Sequence, residues 1–91
     1  MSEQDIINAI CLHIADYHRI EPEAVEVELA YDDDEGFSAE AYYESRKQSL
    51  PSFQLIQAIR FWIEEVLKED PIGAGIKLEL DPDEGIIAII N

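Results

Sequence analysis

Apolar residues recur along this chain with two different periods, and the switches between them mark its elements. Ile6, Ile7, Ile10, Cys11, Ile14 and Tyr17 follow at three- and four-residue intervals, the spacing of a buried helical stripe. Ser2 is placed to cap this helix, and Glu3 and Asp5 stand in the first turn, where the helix dipole favours anions. His18 and Arg19 fall where a helix end favours cations, and Pro22 prevents continuation. From Val25 the period drops to two. Val25, Val27, Leu29 and Tyr31 point one way while Glu26 and Glu28 point the other, as in a strand with one buried face. After "DDDEG", Phe37, Ala39, Ala41 and Tyr43 alternate with Ser38, Glu40 and Tyr42. The two runs predict an antiparallel hairpin, with Gly36 available for a positive φ or a bulge. "ESRKQSLP" predicts a tight turn and a short third strand, with charges and Pro51 suited to an edge.

The helical period then returns. Ser52 is the expected cap, and Leu55, Ile56, Ile59, Ile63, Val66 and Leu67, with Trp62 beside them, form the stripe. Arg60–Glu64 and Glu64–Lys68 are i,i+4 pairs on the wet side, Phe53 and Phe61 flank the stripe, and "EDPIGAG" ends it. Ile76, Leu78 and Leu80 alternate as a fourth strand, and Ile86 to Ile90 form a fifth. Aligning Val27-Glu28-Leu29 with Leu78-Glu79-Leu80, and Gly36-Phe37-Ser38-Ala39 with Gly85-Ile86-Ile87-Ala88, makes the second turn two residues shorter than the first. By that parity Ile86, Ala88 and Ile90 face the helices, and Ile87 and Ile89 face away. The expected fold is a single α+β domain over residues 1–91, in the order α-β-β-β-α-β-β. Two helices, each with one apolar stripe, pack on one face of a mainly antiparallel sheet of four or five strands.

Composition changes this picture mainly through charge. Twenty-one acids against six Lys or Arg give a net charge of −15. Such a surface disfavours nucleic acid and anionic membranes, which need clustered cations. The α-β-β-β-α order of the first five elements is also that of double-stranded-RNA-binding domains, which grip phosphates with lysines near the second helix. Here that helix carries Glu64, Glu65, Glu69 and Asp70 against Arg60 and Lys68, so the likeness is topological. Apolar residues at 47% suffice for one core. No apolar run is long enough to span a bilayer. The opening MSEQD has no basic region followed by an apolar one, so no secretory leader is expected. A single cysteine, Cys11, suits a reducing cytoplasm.

Candidate chemistry is sparse. If the two acidic turns meet at one end of the sheet, Asp32, Asp33, Asp34 and Glu35 neighbour Asp81, Asp83 and Glu84, oxygen ligands of the kind Ca²⁺ or Mg²⁺ takes. The first turn departs from the calcium loop at Tyr43, which stands where a bidentate glutamate is needed; solvated turns using Asp and Gly for their conformational preferences are the favoured account of both segments. Cys11 and His13 stand two residues apart on a helix and cannot face each other. No phosphate loop, Cys/His metal spacing or nucleophile elbow is present, so neither an enzyme nor a cofactor is expected. The outward sheet face holds Glu26, Glu28, Glu40 and Glu79 around Tyr42, Ile87 and Ile89. That face is the expected contact for a partner or a second copy.

The segments "EQDIINAICLHIAD", "VEVELAYDDDEGFSAEAY", "LIQAIRFWIEEV" and "GIKLELDPDEGIIA" resemble the small uncharacterised YxcD-like domain family of Bacillus and related bacteria, over nearly the whole chain. The resemblance implies a free-standing cytoplasmic bacterial protein of unknown function and carries over no catalytic or binding residues. The expected function is therefore a non-enzymatic protein-interaction module, homodimeric or binding another protein through its acidic face. The alternatives are a divalent-cation-binding module using turns 32–35 and 81–84, and an acidic nucleic-acid mimic that occupies a basic protein.

Overall fold

The computed structural model describes residues 1–73 and 75–91. Its elements run α1 (Glu3–His18), a short 3-10 turn (Pro22–Ala24), β1 (Glu26–Asp32), β2 (Gly36–Tyr43), β3 (Arg46–Pro51), α2 (Ser52–Glu65), β4 (Ile76–Asp81) and β5 (Gly85–Ile90). The α+β class and the α-β-β-β-α-β-β order hold. The strands divide into two antiparallel sheets, β1-β2-β3 and β4-β5, with β1 lying beside β5.

The reason for the division lies at the start of the chain. The outward backbone groups of β5 are taken before β1 can use them. Ala88 N–H donates to the Met1 carbonyl at 3.0 Å, the Met1 nitrogen donates to the Ala88 carbonyl at 2.9 Å, and Ile86 N–H donates to Glu3 Oε2 at 2.9 Å. Unpaired strand edges demand such partners.

Ser2 caps α1 as expected and forms a capping box with Asp5: Asp5 N–H donates to Ser2 Oγ at 3.1 Å, and Ser2 N–H donates to the Asp5 carboxylate. Ser52 does not cap α2. Pro51, the last residue of β3, holds the extended N-cap position with no side-chain bond, because strand passes into helix with no intervening linker residue. α2 also ends earlier than its stripe suggested. The chain turns at Lys68, whose φ is 58°, and Glu69 N–H reaches the Ile63 carbonyl at 3.1 Å. Val66 and Leu67 are therefore exposed, and Lys68 lies beyond the helix that a Glu64–Lys68 pair requires. Arg60 donates to the Pro71 carbonyl.

Both helices cover one side, α1 over β1 and β5, and α2 over β2 and β3. The core is built from Ile6, Ile10, Ile14, Leu55, Ile59 and Ile63 of the helices against Ala39, Ala41, Leu50, Ile86 and Ala88 of the strands. Alanines on the strands let branched helix residues approach the sheet closely. Ile86 and Ala88 face inward and Ile89 outward, as parity required. Tyr17 departs from its stripe: it is 78% exposed, and its ring lies edge-on to that of His18 at 5.0 Å.

Candidate interaction surface

The two acidic hairpin turns have the same construction. Asp32 Oδ1 accepts from the N–H groups of Asp34 and Glu35 at 2.8 and 3.1 Å, and Asp81 Oδ1 accepts from those of Asp83 and Glu84 at 2.8 and 2.9 Å. Each turn closes on a glycine with positive φ, +79° at Gly36 and +80° at Gly85. The shared pattern is Asp-x-Asp-Glu-Gly, and Asp32 pairs with Gly36 as Asp81 pairs with Gly85. The alignment from sequence, with the second turn two residues shorter, is thus corrected. Leu29 corresponds to Leu78 and Val27 to Ile76, because the Asp side chain fixes loop length through its two backbone bonds. Those bonds, Glu84 N–H first and Asp83 N–H second, hold the Asp81 carboxyl below the usual aspartate range. The stabilisation is present above that range and is lost as pH falls through the depressed value.

Tyr31 and Phe37 of the first hairpin line one cleft with Leu80, Asp81 and Pro82 of the second, so the turns share one end of the molecule. Asp32, Asp33, Asp34, Glu35, Asp83 and Glu84 are exposed there, with Asp81 partly covered. Among the described residues no group of three or more His, Cys, Asp or Glu is placed to hold a metal ion.

The outer sheet face is more ordered. In the β1–β2 register Glu28 stands directly opposite Glu40, and Glu26 opposite Tyr42. Tyr42 O–H donates to Glu40 Oε2 at 2.7 Å, and Lys47 Nζ lies 3.5 Å from Glu40 Oε1. The second sheet repeats the motif weakly, with Lys77 3.4 Å from Glu79 and Glu79 opposite Ile87. Ile89 is 38% exposed and Ile87 half-buried. Glu26 and Glu28 have no ion-pair partner among the described residues.

This arrangement moves two titrations. Hydrogen bonding to the Glu40 carboxylate, aided by desolvation and the charges of Glu40 and Glu28, pushes the Tyr42 phenol up to about 12. Glu40 is held below the usual glutamate range, first by Tyr42 and then by Lys47. A raised phenol stabilises the fold below the ordinary tyrosine value near 10, and that contribution is lost as pH rises through about 12. In an ultraviolet titration, Glu40→Gln is expected to bring the last tyrosine transition down towards 10, whereas Lys47→Gln should leave it high. A late transition unchanged in Glu40→Gln would assign it to another tyrosine.

Sequence reasoning missed a second polar cluster behind this face. Tyr43, 8% exposed, donates its hydroxyl proton to Gln48 Oε1 at 2.7 Å and lies 3.0 Å from His18 Nε2. The available signal was parity: Tyr43 points inward, and a buried phenol needs a partner. His18 had an apparent role already, at a helix end. His13 packs edge-on against Phe61 at 5.2 Å, and burial lowers its pKa against the opposing influence of Asp16. Cys11 is half-buried, its thiol directed at the Val25 carbonyl at 3.5 Å, and desolvation raises its pKa, which disfavours the nucleophilic thiolate.

No helix of the described residues is long and apolar enough to cross a membrane. Residues 1–83 match a family profile described as a protein of unknown function, DUF2653. Over 91 residues the chain is 33% identical to the uncharacterized protein YxcD of Bacillus subtilis (strain 168), covering 99% of this chain and 89% of that protein. No solved structure matches. With a profile that runs from α1 through β4 into the second acidic turn, and a relative aligned over nearly the whole chain, this chain belongs to the DUF2653 family of proteins of unknown function.

Proposed function

We propose that this protein is a non-enzymatic interaction module of the cytoplasm, and that its outer sheet face binds a cationic surface on another protein. The observation that carries this reading is the cross-strand pair Glu28–Glu40. Like charges directly opposite one another destabilise a sheet, and among the described residues the only lysine within ion-pair distance of the two serves Glu40. Glu26 lies on the same face of β1 as Glu28. Lysines or arginines of a partner would relieve this repulsion on binding, and Tyr42 supplies an aromatic contact among the acids. A net charge of −15 speeds the approach of such a partner. A two-fold pairing of copies over this face would set its carboxylates against one another, so a cationic partner is favoured over a homodimer. The half-buried free thiol of Cys11 fits a reducing compartment.

The test compares two variants of equal charge in affinity capture from lysate, Glu26→Gln/Glu28→Gln on the face and Glu64→Gln/Glu65→Gln on α2. The face variant should lose the captured partner and the α2 variant retain it, with capture by the parent weakening as salt rises. Equal losses would attribute binding to net charge and sink the assignment to this face. If the partner binds nucleic acid, the mimic form of the reading follows; if it does not, that form is excluded.

A further inference from the structure

A groove where the second half of α1 meets β3 and the start of α2 encloses about 340 Å³. Its chemistry is unlike that of the remaining surface. None of the 21 acids and none of the six lysines and arginines lines it, while both histidines and three of the four glutamines do. In a chain that is 30% charged, such a wall is a local reversal of composition.

Tyr43 anchors one side. Its single proton goes to Gln48 Oε1, so the Nε2–H of His18 donates to the phenol oxygen. In the neutral ring, Nδ1 of His18 is then left as an acceptor. The rings of His18 and Tyr43 lie 4.7 Å apart at a tilt of 39°, giving a continuous aromatic wall. The Gln48 amino group and the whole amides of Gln54 and Gln57 have no partner among the described residues. The groove therefore offers flat ring surface together with paired donors and acceptors, and no fixed charge.

We propose that this groove binds a small, uncharged, planar molecule carrying adjacent hydrogen-bond donors and acceptors on one edge, of the lactam or nucleobase type. A glutamine amide presents a complementary donor–acceptor edge to such a ring, and aromatic walls add stacking. A cation would meet no carboxylate in the lining, and a phosphate or carboxylate would meet no Lys or Arg. The volume lies at the small end of ligand pockets, which limits the occupant to one or two rings. The proposal is independent of the outer-face reading, since Tyr42, Glu26 and Glu28 take no part in it.

Uracil is the probe, followed by nuclear magnetic resonance of the glutamine side-chain amides and histidine ring protons, with orthophosphate and methylammonium as charged comparators. Uracil should shift Gln48, Gln54, Gln57 and His18 signals saturably, and the comparators should not. Gln57 is exposed, so Gln57→Ala keeps the fold and should weaken uracil binding at least about fivefold; Tyr43→Phe, which releases both Gln48 and His18, should do the same. The proposal is overturned by the absence of a saturable shift up to about 20 mM, the limit that ordinary ligand efficiency sets for so small a ring. Equal responses to the comparators, or a weakening in Gln57→Ala below about fivefold, overturn it as well.

Discussion

Replacing Ile59 with alanine should lower the unfolding free energy by about 4 kcal/mol, in the upper part of the range for a fully buried isoleucine. Ile59 is 0% exposed and lies on the face of α2 that packs against β2 and β3. What decides the size of the effect is how far the site can collapse. Three of the strand residues in the same buried cluster, Ala39, Ala41 and Ala88, are alanines, and the adjacent buried residue of α2 is Ala58. An alanine has no longer side chain to swing into the space, so the cavity should persist and add its cost to the lost transfer energy. For a domain of this length the melting temperature should drop by about 15–30 °C. Urea unfolding checks it: the midpoint should fall with the slope unchanged. Ile72→Ala, at a residue 87% exposed, should stay within about 0.5 kcal/mol of the parent. A loss below about 2 kcal/mol at Ile59 would mean that Leu55 and Ile63 repack.

The core was legible because its signals are local. Periods of 3.6 and 2 survive in the sequence wherever one face of an element is buried, and both helices and strands β1, β2 and β4 are found by them, while β3 is read from its turn and edge residues. Alignment with β2 places Ile86 and Ala88 inward although no residue of β5 is polar between Gly85 and Asn91. Errors arose where a distant contact or an element end decided the outcome. Tyr17 continues the stripe of α1 in sequence, but at the last turn little remains above it to bury the ring. Val66 and Leu67 continue the stripe of α2, but the left-handed turn at Lys68 removes them from the helix. The single sheet became two because Met1 and Glu3 occupy the edge of β5, a contact across more than eighty positions that no period encodes. The acids of the outer face were placed correctly by alternation, yet their pairings were not, since cross-strand partners depend on register. The alignment of the hairpins erred for the same reason: register is fixed by the turn, and the turn is fixed by Asp32 and Asp81 side chains bonding to backbone.

The second large effect is expected at the other turn glycine. Gly36→Ala and Gly85→Ala are the same change at equivalent positions, with φ of +79° and +80°. Forcing alanine into this region costs about 1–2 kcal/mol. Around Gly36 no other atom lies within 4 Å of an added methyl, whereas at Gly85 the methyl would occupy the space held by the Glu3 carboxylate. Glu3 would have to withdraw, and with it the bond accepted from Ile86 N–H. A hydrogen bond to a charged group contributes about 1.5–3 kcal/mol. Gly85→Ala should therefore cost about 3–4 kcal/mol, against about 1–2 for Gly36→Ala. A double-mutant cycle isolates the cause. Glu3→Ala in the parent should cost about 2 kcal/mol, from the lost bond and the lost charge at the start of α1. In the Gly85→Ala background the bond is already gone, so Glu3→Ala should cost under about 1 kcal/mol. If Glu3→Ala costs the same in both backgrounds, the excess at Gly85 has another origin, and the anchoring of β5 by the first turn of α1 is not what sets the two hairpins apart.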